Sequence, residues 1–137
     1  MFRLDPRLEA DTIPLVTLGL NRVLLARNAA WPWLILVPGI ADVTEVTDLS
    51  QVDQQTLWQE VAAVSQALQA ATGARKMNVA TLGNIVRQLH IHVVARFEDD
   101  PAWPGPIWGS GHSKAWEAGA QTALMAALQE KLSPAAG

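Results

Sequence analysis

Residues 88–94, Gln88-Leu89-His90-Ile91-His92-Val93-Val94, alternate polar and apolar side chains with a period of two. Successive side chains of a strand point to opposite faces, so this pattern describes a two-faced β-strand. Leu89, Ile91 and Val93 share one face, and Gln88, His90 and His92 share the other. The apolar face needs a covering layer, and the chain contains one. Leu57, Val61, Val64 and Leu68 recur at spacings of four, three and four residues, the single stripe of an amphipathic helix. Ser50 followed by Asp53 resembles a capping box and predicts a start near Gln51, while Gly73 fits the C-terminal cap. Half of the residues are hydrophobic and only 17% are charged, so 137 residues suffice for one real core.

Further strands are predicted at 23–26, closed by Arg27-Asn28, and at 33–37, stopped by Pro38-Gly39. Two more fall at 76–80 and 89–96. Residues 98–112 hold three prolines, three glycines and two tryptophans, which predicts a loop. A second helix is expected over 113–132, where Trp116, Ala120, Leu124, Leu128 and Leu132 recur every fourth residue before Pro134. Residues 1–12 are expected to be a mobile or loosely packed lead-in. The order β-β-α-β-β-loop-α implies one α+β domain over 1–137 with a mainly antiparallel sheet, and an extension of loop plus helix at 98–137.

The composition excludes several functions. With no cysteine, disulfide scaffolds, cysteine-ligated zinc and cysteine nucleophiles are ruled out. A net charge of −3 makes a generic nucleic-acid binder a poor candidate. The N-terminus carries Asp5, Glu9 and Asp11 and does not read as a signal peptide, and the apolar run 31–37 is too short to span a bilayer. A cytoplasmic globule that does not bind membranes is the expectation.

His90 and His92, two of the three histidines, are expected on the open face of the sheet, roughly 6.5–7 Å apart at the backbone. Three readings compete. The pair serves packing alone, or it shares a metal ion, or it works on an anion. A metal needs a third and usually a fourth ligand, yet no acidic residue lies between Glu60 and Glu98. That stretch carries Arg75, Lys76, Arg87 and Arg96 instead. It is locally positive and suits anions better than a carboxylate cage, unless these bases are solvated strand ends pointing away. Gly83-Asn84 is either an ordinary turn or a donor of N–H groups to phosphate oxygens. Beside a His-x-His strand, it suggests a phosphate held against an imidazole. Trp58 and Trp116 sit on helical stripes as core or dimer contacts. Trp103 and Trp108, in the proline-rich loop, either stack on a base or pack.

Asn78, Gly83-Asn84 and residues 88–94 together resemble the histidine triad (HIT) superfamily, whose signature is His-φ-His-φ-His-φ-φ after a glycine-containing phosphate loop. Residues 34–38 followed by Asp48-Leu49-Ser50 resemble the family's strand, turn and helix start. The similarity spans roughly 15–97, and the tail 100–109 resembles that of a bacterial subgroup. The register that best fits Gly83 makes His90 the central histidine and puts Gln88 in the first histidine's place. A shifted register would make His92 central.

The resemblance implies a five-stranded, mainly antiparallel sheet with two helices, pairing as a homodimer. It implies displacement at the α-phosphorus of a purine nucleotide, with His90 as nucleophile and a nucleotidyl-histidine intermediate that water hydrolyses. His92 would hydrogen-bond phosphoryl oxygens or assist the leaving group. Asn84 and N–H groups near Gly83 would stabilise phosphoryl charge. Asn78 would contact phosphate or position the loop, and Asn28 would meet the nucleoside. No cofactor is implied, a divalent metal entering only as counterion of the substrate. Dinucleoside polyphosphates, nucleoside phosphoramidates and sugar nucleotides all present the same α-phosphate. Gln88 cannot titrate, Ile85 stands where many members carry Ser or Thr, and Trp33 stands where many carry another histidine. His112 either enters the site or is an exposed loop residue. Two alternatives accompany this reading: a purine-nucleotide-binding module without turnover, and a metal-dependent protein using His90 and His92.

Overall fold

The computed structural model describes residues 1–133. The long helix α2 (Gln51–Thr72) starts where Ser50 Oγ accepts the Asp53 N–H at 3.1 Å. It ends at Gly73, whose φ of 73° is the left-handed conformation that glycine adopts without penalty. Its stripe of Leu57, Val61, Val64 and Leu68 is buried. Beneath it lies a five-stranded sheet in the order β1-β2-β3-β5-β4, every neighbouring pair antiparallel. The strands are β1 (Thr12–Thr17), β2 (Asn21–Ala26), β3 (Trp33–Pro38), β4 (Lys76–Ala80) and β5 (Ile91–Arg96). Leu89, Ile91 and Val93 do lie in the main core against α2, together with Val23, Leu25, Leu34 and Leu36. A C-terminal helix α3 (Ala120–Leu132) adds Leu128 and Leu132 to the same core.

Several expectations need correction. The strand expected over 89–96 begins at Ile91, so Leu89 and His90 stand just before β5. The lead-in is folded: Asp5 caps a short helix α1 (Pro6–Asp11), and Leu8 is buried on the far side of the sheet beside Leu24, Ile35 and Val37. Its anchors come from the segment that leads into β5. The Gln88 amide accepts from Asp5 N at 2.8 Å and donates to Arg3 O at 2.8 Å, and Arg7 Nη1 donates to Ile85 O at 3.1 Å. β1 follows α1 directly and was not foreseen as a strand.

The last helix begins at Ala120 rather than Ser113, because the preceding segment is held down. Asn28 Oδ1 takes the Lys114 N–H and Gly119 turns left-handed at φ 81°. Trp116 therefore belongs to no helix; it packs on the core with its indole N–H toward Ala26 O at 3.4 Å. Trp58 is 45% exposed on α2, which removes the core reading and leaves that of a dimer contact. Pro134 lies outside the described residues.

Candidate active site

The histidine face of the sheet is roofed, not open. His90 and His92 are each only 6% exposed. α1 covers one side and the segment after β5 covers the other, so the pair stands between two lobes of a cleft. One, of about 450 Å³, is walled by Trp31, Trp108 and His112 and by the turn Gly83-Asn84. The other, of about 810 Å³, is bordered by Arg7, Arg27 and Lys114 together with Asp11. Trp33, His90, His92 and Trp108 border both.

The two imidazoles lie 4.9 Å apart, edge to face at 74°. Their hydrogen bonds give them opposite tautomers. His90 Nδ1 lies 2.7 Å from the carbonyl oxygen of Gln88. A carbonyl only accepts, so Nδ1 carries the proton and Nε2 keeps its lone pair. His92 Nδ1 lies 3.0 Å from the indole nitrogen of Trp33. An indole N–H only donates, so this Nδ1 is bare and Nε2 carries the proton. Burial, reinforced by the neighbouring His90, pushes the His92 imidazole down to about 3, which keeps it neutral at ordinary pH. Thr81 Oγ donates to His90 O at 2.8 Å and steadies the turn that leads into β5.

The register explains why Trp33 meets His92. Trp33 pairs with Val94 and Ile35 with His92, so Trp33 is the diagonal neighbour of His92 on one face. Their rings sit 5.6 Å apart. Trp108, from the proline-rich loop, closes on the other side of His92 at 5.2 Å.

That loop is fixed by Arg96, which is 2% exposed. Its guanidinium pairs with Asp100 at 2.7 and 3.1 Å, and donates to Asn78 Oδ1 at 2.7 Å and Gly105 O at 2.8 Å. It also lies 5.6 Å from the Trp103 ring. Burial pulls the Asp100 carboxyl up. The Arg96 pair and the N–H groups of Phe97 and Ala102 outweigh it and hold the carboxyl well below the usual range.

The residues singled out in the sequence thus divide. His90, His92, Gly83, Asn84 and Asn28 border one cavity. Gln88 turns its side chain to the lead-in and borders neither lobe. Asn78 is engaged by Arg96 and borders neither lobe. Asn28 reaches the cavity, but its amide is committed. Nδ2 donates to His112 O at 3.0 Å, and Oδ1 accepts from Ala30 N at 3.0 Å and Lys114 N at 3.1 Å. His112 borders the cavity from an exposed position, edge-on to Trp31 at 6.5 Å. Arg96 is no free cation, and Trp103 packs on it rather than bordering the cleft. Among the described residues, no third His, Cys, Asp or Glu joins the pair in a group that could hold a metal. The place of Trp31 in the cavity wall and the contacts of Trp33 and Trp108 with His92 are not legible in the sequence. Only the strand pairing, and a loop folded back from beyond β5, bring them in.

The HIT domain family model matches residues 7–99. Solved structures agree over nearly the whole chain. A histidine triad (HIT) protein from Sinorhizobium meliloti 1021 is 50% identical, covers 96% of this chain and 97% of its own, and superposes with a TM-score of 0.92. A histidine triad protein from Marinobacter aquaeolei VT8 is 43% identical with 97% of each chain covered and a TM-score of 0.92. One from Bradyrhizobium japonicum is 42% identical, with 95% and 97% covered and a TM-score of 0.93. No curated protein matches.

Proposed function

Because the chain belongs to the HIT domain family, we propose that it is a nucleotide hydrolase or nucleotidyl transferase acting at the α-phosphate of a purine nucleotide. The observation that carries this reading is the tautomer of His90. The Gln88 carbonyl holds its Nδ1–H, leaving the Nε2 lone pair on the ring edge within a cleft that also contains Gly83-Asn84.

His90 Nε2 attacks the α-phosphorus. A P–N bond forms, and the bond from phosphorus to the leaving group breaks, its electron pair departing with that group. The imidazole becomes cationic on attack, and its Nδ1–H stays on the Gln88 carbonyl, which favours that charge. Water then adds to phosphorus, the P–N bond breaks, and the nucleoside monophosphate leaves with His90 restored. Asn84 and the N–H groups beside Gly83, where φ is 72°, meet the charge on the equatorial oxygens. Asn28 then acts by pinning residues 112–114 at the cavity rim rather than by reading a hydroxyl. Asn78 acts through Arg96 on the loop that carries Trp108. No resident cofactor enters; a divalent cation accompanies the substrate's phosphates.

Gln88 does not weigh against turnover, since its side chain is bonded to the lead-in and borders neither lobe of the cleft.

The test is release of AMP from diadenosine tetraphosphate and from an adenosine phosphoramidate, comparing the native protein with His90→Ala. Turnover should fall by on the order of 10⁴-fold in the variant, while AMP binding persists. AMP binding without turnover of either compound by the native protein would favour the binding module. Full activity in the variant would remove His90 from the mechanism.

A further inference from the structure

We infer that Trp33 is a positioning residue that locks His92 in its Nε2–H tautomer, making His92 a fixed hydrogen-bond donor to the phosphoryl group and not an acid for the leaving group. The tautomer rests on geometry alone; the role assigned to it rests on the reading of the cleft proposed above.

An indole nitrogen has one proton and no lone pair for accepting. At 3.0 Å from His92 Nδ1 it can only be a donor, so a proton on Nδ1 would set two N–H groups against each other. The His92 ring is buried while Trp33 is half-buried, and the ring has little room to relax, since Trp108 closes its opposite side. A hydrogen bond donated to a bare nitrogen favours the neutral form, in the same direction as burial.

The groups that meet His92 offer it no negative charge. His90 is the titratable neighbour from its own chain segment. β3 presents Trp33 and Ile35, β4 presents Ala80, and the loop presents Trp108. Arg7, Arg27, Lys114, Asp11 and His112 stand around the two lobes, and none is hydrogen-bonded to the ring among the described residues. A neutral imidazole that cannot gain a proton at Nδ1 has no acidic proton to give near pH 7. Its Nε2–H is left to serve as a donor toward an oxygen on phosphorus. The leaving group then takes its proton from water.

The lock gives position 33 a physical role, because a tryptophan there supplies an N–H that never titrates.

Imidazole ¹⁵N spectra of the ligand-free protein, recorded from pH 8 to pH 5, test the tautomer independently of any activity. The expected pattern for His92 is a protonated Nε2 and a bare Nδ1, unchanged across the range. A proton on Nδ1, or titration of His92 within the range, overturns the lock in the native protein, without need of a variant. Trp33→Phe keeps an aromatic ring and removes the N–H. In that protein His92 should populate both tautomers and titrate at a higher pH. If AMP release is observed in the native protein, kcat should drop about tenfold in the variant, the worth of one ordinary hydrogen bond. It should also gain an acid limb, with KM little changed. A variant with native spectra, or native kcat and pH profile, overturns the role of Trp33. Absence of turnover in the native protein would count against the proposed reaction, and the spectra would still decide the tautomer.

Discussion

At the residue scale, two adjacent imidazoles made of the same atoms are set to opposite tautomers by one backbone carbonyl and one indole N–H. The alternation in residues 88–94 shows that they share a face, but not which nitrogen of each ring is bare. That choice depends on Trp33, far off in sequence and diagonal in the sheet. The depressed pKa of His92 has a consequence for stability. In the unfolded chain it binds a proton below about 6.5, whereas in the folded protein it does so only near 3. The unfolded state therefore binds more protons between these values, and folding weakens as pH falls through that window. The slope from this one group approaches about 1.4 kcal/mol per pH unit. Urea midpoints measured from pH 7 to pH 4 should show the decline, and His92→Asn should flatten it.

At the element scale, the proline-rich segment after β5 behaves as part of the sheet's second covering layer. Arg96 shares a face with His92 and Val94, and from there it ties Asp100, Gly105 and Asn78 together. Asp100→Ala would leave the buried guanidinium without its carboxylate. It would also free the N–H groups of Phe97, Ala102 and Trp103. A loss of about 3–5 kcal/mol is expected in urea unfolding, the cost typical of removing one partner from a buried pair. Asp100→Asn should cost less. Helix α2 was legible because both its caps and its stripe are local signals. The start of α3 was not, because periodicity alone does not reveal that Asn28 holds Lys114 and that Gly119 breaks the stripe.

At the scale of the whole molecule, the sheet has α2 and α3 on one side and α1 with the Trp108 loop on the other. β4 is an edge strand with an open side, and its Val79 is 44% exposed on the face that α2 covers. Trp58 on α2 is similarly exposed. We propose that a second copy of the chain covers this region, since an exposed apolar edge strand invites pairing. Sedimentation equilibrium should give a dimer, and Val79→Lys combined with Trp58→Lys should shift it toward monomer. A native monomer at tens of micromolar would exclude the pairing. Among the described residues, no helix is long and apolar enough to cross a membrane.

Local pattern determined a great deal: an α+β chain, a capped central helix, a two-faced histidine strand with its apolar side in the core, and a glycine turn on the way into it. These follow from periods of 2 and 3.6 and from the backbone needs of caps and turns, all of which act over a few residues. Tertiary structure decided that the histidines are buried, that Gln88 serves the lead-in, that Asn28 and Asn78 hold loops, and that Trp33 and Trp108 enclose His92. Each of these is a contact between residues far apart in sequence, made only after strand register and loop path bring them together. Side-chain hydrogen bonds act over about 3 Å in space, and no spacing along a chain encodes that distance.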